Sequence, residues 1–346
     1  MRSTKLLVSS SALAVLAALL ALAQFEYDGV EASFGSTGTI TVTHDRLTKT
    51  TGHIYTWGPG WRWEGPCSYQ GSWVAQPWRA STSDVEASFE GTFQCSFAKV
   101  SWKVKAWLGV DSFLIELNMT ADEDSSFKAV AWDFELPITL FAGKNVTLLL
   151  SNGTEVSVVL RKSHVPGMPA INGSAHSNGV GWVIPYDGDK GLVVAVFGDT
   201  WPNGMTVVAV DNREWQGNTY SLRSWLFFNF QMPKGVTVRL LIYVHPYLNR
   251  ERFETGLTRV REVARMLQEG ESSDAVKSLL ISAMNLEEAA AARKARGPPP
   301  TLIAMLVAYA IIAAIGAAII VYALPKRERK QRRKPSLVVS TTTNSS

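Results

Sequence analysis

Cysteine is nearly absent from this sequence: Cys67 and Cys95 are the only two in 346 residues. That excludes a Cys-x-x-Cys redox pair and any thiolate-rich zinc or iron–sulfur site. Histidine is scarce as well, and His44, His53, His164, His176 and His245 show none of the short spacings that metal sites use. Also missing are a G-x-S-x-G elbow, an H-E-x-x-H pair, a Walker A loop and a dinucleotide-binding G-x-G-x-x-G. No metal and no cofactor is expected. Asp187-Gly-Asp-Lys-Gly191 begins like a calcium loop but lacks the closing glutamate, and Asp122-Glu-Asp124 reads as a solvated hairpin tip.

Charge is the other shortage. Asp, Glu, Lys and Arg make up 18% of the chain, against about 25% in an ordinary soluble domain. The deficit sits in two uncharged runs, Leu6 to Ala23 and Thr301 to Leu324. The net charge of +4 comes from the ends, because residues 24–300 hold 25 basic and 29 acidic side chains while 325–346 hold seven basic and one acidic. A mildly acidic centre lacks the basic footprint of nucleic-acid binding, so no nucleic-acid partner is expected.

Both runs carry flanks that assign them. Arg2 and Lys5 precede the first, which closes Ala21-Leu22-Ala23 ahead of Gln24. A charged start, an apolar stretch and an A-x-A ending predict a signal peptide over residues 1–23, with an uncleaved anchor as the alternative because eighteen residues is near the lower limit for spanning. The second run would extend roughly 36 Å as a helix, enough to cross a bilayer. Lys326, Arg327, Arg329, Lys330, Arg332, Arg333 and Lys334 follow it, against Arg293, Lys294 and Arg296 before it. The positive-inside asymmetry places the basic tail, residues 325–346, in the cytoplasm. The expected topology is single-pass type I in the cell membrane, with the bilayer as partner through Thr301 to Leu324 and residues 24–300 extracellular. Ala310, Ala314 and Ala318 form a small-residue stripe of the kind that lets two such helices approach, which points to a homo-oligomer.

In an exported chain an isolated cysteine pair reads as a disulfide, so Cys67 and Cys95 are expected to be joined. Asn118, Asn145, Asn152 and Asn172 head Asn-x-Ser/Thr sequons and are glycosylation candidates, hence surface positions. Residues 24–248 contain many short runs of β-formers broken by Gly, Asn, Asp and Pro, without intervening helical periods. This predicts a mainly β, large antiparallel β-sandwich. Val100, Trp102, Val104 and Ala106 alternate with Ser101, Lys103 and Lys105, giving one core face and one wet face. Leu192 to Phe197 and Arg239 to Val244 do not alternate, so they are expected to be central strands covered on both faces.

After His245-Pro246 the period changes. Phe253, Leu257, Val260, Ala264 and Leu267 make a helical stripe, with Asn249 as N-cap and Gly270 past the end. Leu279, Ala283, Leu286 and Ala290 make a second, from Ser273. Two helices of about 19 and 23 residues predict a helical hairpin over residues 249–297, either packed on the β domain or acting as a spacer. Pro298-Pro-Pro300 then forms a stiff linker, and residues 298–324 comprise linker and membrane helix.

All twelve tryptophans fall between positions 57 and 225. Tyr55, Trp57, Trp61, Trp63, Tyr69, Trp73 and Trp78 crowd one stretch that Gly58-Pro59-Gly60 and Gly65-Pro66 break into turns. Rings carried on turns cannot all share one core face. Exposed rings suit the C–H faces of sugars or the anchor pockets of protein interfaces, whereas a lid over the core, pinned at Cys67, is the opposite reading. Trp57, Trp61, Trp63 and Trp73 are the candidate ligand-binding residues, for a glycan or a cell-envelope protein.

The strand grammar of Lys99-Val-Ser-Trp-Lys-Val-Lys-Ala-Trp107, Asp111-Ser-Phe-Leu-Ile-Glu-Leu117 and Val130-Ala-Trp-Asp-Phe-Glu-Leu-Pro137 resembles that of the galactose-mutarotase-like supersandwich of carbohydrate-active proteins. The resemblance covers about 150 to 200 residues and implies fold, not a specific family. Enzymes of that group generally pair His with a carboxylate. His164, His176, Asp199 and Glu214 are the nominal counterparts, with no motif that aligns them. The leading reading is therefore a membrane-anchored extracellular protein that binds carbohydrate or a cell-surface partner without catalysis. The competing readings are a surface-tethered glycoside-acting enzyme and a structural or assembly component of the cell envelope.

Overall fold

The computed structural model describes residues 24–27, 29–34, 39–45, 47–63, 81–82, 86–201 and 203–296. The expectations placed on residues 1–23, on Cys67 and Trp73, and on residues 297–346 lie outside the described residues. Among the described residues, no helix is long and apolar enough to cross a membrane.

Among the described residues, seventeen strands pair antiparallel in one curled sheet. In chain order they are β1 (Gln24–Tyr27), β2 (Val30–Phe34), β3 (Ile40–His44), β4 (Leu47–Gly58), β5 (Arg62–Trp63) and β6 (Ser81–Thr82). Then come β7 (Glu86–Cys95), β8 (Ala98–Leu108), β9 (Phe113–Ala121), β10 (Ser125–Pro137), β11 (Asn145–Leu150) and β12 (Glu155–Val159). The last are β13 (His176–Asp187), β14 (Lys190–Phe197), β15 (Met205–Asp211), β16 (Thr219–Met232) and β17 (Thr237–Tyr247).

One layer runs β1-β2-β3-β4-β10-β16-β15. The other runs β7-β8-β9-β17-β14-β13 and continues through β11 to β12. Strand β13 belongs to both, since His176 and Gly179 face β15 while Gly181 to Asp187 face β14. The layers enclose one apolar core. Phe25 and Phe34 from the first each meet Phe113 of the second at 5.2 Å between ring centroids. Val100, Trp102, Val104 and Ala106 point into this core, as their alternation requires. Cys95 is buried at the end of β7 and is not a free thiol. Asn145, Asn152 and Asn172 are exposed, whereas Asn118 is half-buried within β9.

The non-alternating strands are covered twice. Leu192, Val194 and Val196 of β14, with Leu240, Ile242 and Val244 of β17, enter the central core. Val193, Ala195, Phe197, Leu241 and Tyr243 enter a second core on the outer side. That second core is closed by α2 (Arg250–Gln268) and α3 (Ser273–Ala283), which follow the single-turn α1 (Ile138–Phe141) and precede α4 (Leu286–Arg296). Asn249 and Ser272 cap α2 and α3, accepting the Arg252 and Ala275 N–H groups. Leu257, Val260, Ala264 and Leu267 form the buried stripe of α2.

The expected second helix of about 23 residues is instead two, so the segment over 249–297 is not a simple hairpin. The break falls where outside donors take the terminal carbonyls: Arg259 donates to Ala283 O at 2.9 Å and Val110 N–H to Met284 O at 3.0 Å. Asn285 then adopts φ 50° and turns the chain into α4.

Polar atoms at the helix–sheet seam are networked. Asp111 accepts from Arg252 at 3.2 Å and from Arg259 at 3.0 Å, and Arg259 also reaches the Tyr243 hydroxyl at 3.0 Å. The fully buried His245 gives its Nε2 proton to Arg252 O at 3.0 Å. Gly256 is required here, because a Cβ on it would stand 2.4 Å from the imidazole. Burial, outweighing the pull of Asp111, drops the His245 pKa to about 4.

Candidate functional site

The outward face of β4, β10 and β16 carries the second unusual constellation. In β4, Gly52, Ile54 and Thr56 turn inward and His53, Tyr55 and Trp57 outward, the period of two that a strand imposes. Their neighbours are set by register: Asp133 stands opposite His53 on one side and Arg223 on the other, and Ala131 stands between Tyr55 and Trp225. Ala129 stands between Trp57 and Phe228. These alanines on the middle strand leave room for rings from both flanks to meet above it. The Trp57 and Trp225 centroids are 5.4 Å apart, Tyr55 and Trp57 5.9 Å, and Trp225 and Phe228 4.6 Å.

A slip in β16 makes this alignment work. Val130 faces Phe227 but the next residue, Ala131, faces Trp225, so Leu226 is extra. The bulge sends Leu226 into the core and keeps Trp225 and Phe228, three apart in sequence, on the outer face.

Beneath the rings lies a charge pair. Arg223 Nε and Nη2 grip the Asp133 carboxylate at 2.7 to 3.0 Å, with the two side chains 9% and 0% exposed. The guanidinium lies 4.9 Å from the Trp57 centroid, 5.0 Å from Trp225 and 5.8 Å from Tyr55. Desolvation of both ions is offset by this bidentate contact and by the ring faces. Arg223 Nη1 makes no hydrogen bond among the described residues.

One strand-step away, the Tyr55 hydroxyl donates to Glu135 Oε1 at 2.7 Å, and His53 Nε2 lies 3.7 Å from the same oxygen. Burial would push the Glu135 carboxyl up, but His53, Tyr55 and Arg223 together hold it below its ordinary value. It is thus an ionised acceptor at neutral pH. A carboxylic acid that protonates a leaving group needs the opposite shift.

Trp61 follows the Gly58-Pro59-Gly60 turn with φ 60°, a left-handed conformation that costs a bulky residue about 1 to 3 kcal/mol. Its indole is 51% exposed, 6.4 Å from Trp57, with Lys128 Nζ 5.2 Å above the ring. Phe228 is 44% exposed at the other edge. Of the candidate tryptophans, Trp57 and Trp61 are therefore brought together, and Trp63 lies in β5 with its backbone opposite Trp57. Tyr55, noted among the crowded rings, joins them, and Arg223, Trp225 and Phe228 are additions that sequence reasoning missed. The alternation of His53, Tyr55 and Trp57 is the local signal for the β4 residues; nothing local ties them to their partners on β10 and β16.

The nominal His and carboxylate residues are mostly apart. His164 and Glu214 meet at 3.0 Å, and Glu214 also takes the Gly167 N–H at 3.0 Å, which clamps the loop before β13. His176 bonds the Gly173 carbonyl and Asp199 pairs with Arg239. Among the described residues, no three His, Cys, Asp or Glu side chains are placed to hold a metal ion.

No family model and no curated protein matches the chain. Solved structures do. A galactose mutarotase-like protein from Lactobacillus casei shares 10% identity and a TM-score of 0.41, over 64% of this chain and 99% of its own. A galactose mutarotase related enzyme from Lactobacillus acidophilus shares 8% and 0.40, over 65% and 97%. An alpha-N-acetylgalactosaminidase from Bifidobacterium bifidum shares 12% and 0.45, over 71% and 39%. The resemblance is one of fold, with no specific family.

Proposed function

We propose that the chain is a membrane-anchored, type I extracellular protein that binds carbohydrate on the outer face of β4, β10 and β16, without catalysis. The observation that carries this reading is the ring cluster itself: Tyr55, Trp57, Trp225, Trp61 and Phe228 lie in contact with one another, the last two about half exposed, over an internally neutralised Arg223–Asp133 pair. Flat rings take the C–H faces of a pyranose, and fixed polar groups beside them select its hydroxyls. Arg223 Nη1 offers a donor and Glu135 an acceptor. The lowered carboxyl of Glu135 favours binding over acid catalysis of glycosidic cleavage.

The test is a glycan array probed with the full chain in nonionic detergent, alongside Trp57→Ala and Trp225→Ala. Binding that both variants lose while keeping the thermal transition supports the platform. Binding that survives both, or no glycan bound at all, rejects it. Release of reducing ends from a bound glycan, abolished by Glu135→Gln, would instead establish the glycoside-acting reading.

A further inference from the structure

A second site, independent of the ring platform, lies where β4 begins. Val42 stands opposite Thr50 and Thr43 opposite Thr48, so Lys49 is an extra residue without a partner in β3. The bulge breaks the in–out alternation, and Lys49 and Thr50 are both buried, at 6% and 0% exposure. A lysine this deep ordinarily pairs with a carboxylate. Lys49 has no hydrogen bond or ion pair among the described residues; its Nζ only overlooks the Tyr186 ring, 5.9 Å from the centroid.

Lys49 borders one cavity of about 230 Å³, lined also by Tyr186, the Thr139–Phe141 turn, Lys144 and Asp187. Lys144 bonds the Tyr186 carbonyl and lies 3.3 Å from the Asp187 carboxylate, which is itself 81% exposed. Asp187 therefore answers Lys144 at the mouth and leaves the Lys49 charge uncompensated within. An uncompensated buried ammonium is destabilising, and water can solvate it but cannot neutralise it. The space is several times the roughly 30 Å³ that one water occupies. A buried cation with a second cation at the entrance specifies an occupant that accepts hydrogen bonds and carries negative charge.

We propose that this cavity binds a small oxyanion, of the size of inorganic phosphate or a compact carboxylate, held by Lys49 with Lys144 at the entrance. The full chain in nonionic detergent is titrated with phosphate and, separately, with acetate, at constant ionic strength. Binding is read by the rise in Tm and, for phosphate, by 31P line broadening. A saturable response to either anion is expected, the responding arm assigning the class. Lys49→Met abolishes it without lowering the Tm of the anion-free protein, and Lys49→Arg retains it. A response to neither anion, or an equal one in Lys49→Met, overturns the proposal and leaves the cavity to water.

Discussion

Outward from the central core, β14 and β17 present Val193, Ala195, Phe197, Leu241 and Tyr243, all sealed under α2 and α3. Outward from the same core, β4, β10 and β16 present His53, Tyr55, Trp57, Asp133, Glu135, Arg223 and Trp225, with exposed rings at the edge. Both faces hold a buried arginine–aspartate contact, Arg259 with Asp111 and Arg223 with Asp133. Their surroundings differ. Arg259 spends its remaining hydrogen-bonding capacity on Tyr243, Ser112 and a helix carbonyl, which ties the layers together. Arg223 spends its guanidinium faces on rings that, among the described residues, no second layer covers. A face built for stability covers its apolar area, whereas a face that leaves large rings half-exposed costs solubility that packing does not return.

The largest test falls on the covered face. Leu257→Asp should cost about 4 kcal/mol or more, from lost burial plus a carboxyl forced into the seam. Chemical denaturation reads this directly, and a loss below about 1 kcal/mol would mean that the helical layer is not part of the cooperative unit. On the other face, Asp133→Asn leaves the Arg223 charge buried and unpaired and should cost about 3 to 5 kcal/mol. The double change Asp133→Leu with Arg223→Met should recover most of that stability yet abolish glycan binding, separating the fold from the site.

Next in size is the acid response of the seam. His245 has its pKa lowered from 6.5 to about 4, so the unfolded chain takes up its proton first as pH falls. The contribution is complete above pH 6.5, is lost between pH 6.5 and about 4, and amounts to roughly 3 kcal/mol. Urea midpoints measured across that window should show the fall, and His245→Gln should flatten it. Smallest in stability is Trp61→Ala, expected within about 0.5 kcal/mol of wild type because the ring is exposed. Glycan affinity measured on the same sample should drop at least tenfold, and unchanged affinity would remove Trp61 from the platform.

The covered face was the more legible in the sequence. The apolar run Leu192 to Phe197 announces burial on both sides by failing to alternate, and the Leu257, Val260, Ala264 and Leu267 stripe announces the helix that supplies the second side. The helix break at Asn285 was not legible, since it depends on Val110 and Arg259 reaching carbonyls far along the chain. For the open face, Trp57 and Trp61 stood out because their turn crowds rings together. Arg223 and Asp133 did not, because the register that joins them spans 90 residues and leaves no local periodicity. Ring density marked one edge of the platform; strand pairing supplied the other.

The extra residue in β16 bears on how such a surface can change over time. Leu226 and Phe227 together occupy the inner side opposite Val130, so losing one residue there would restore a regular ladder and still leave Trp225 and Phe228 facing out. Two residues upstream, the same loss would invert every outward side chain between it and the bulge. Length drift in this strand is therefore tolerable at one point, and at that point the inner packing can be rewritten while the outer ring pattern is inherited intact.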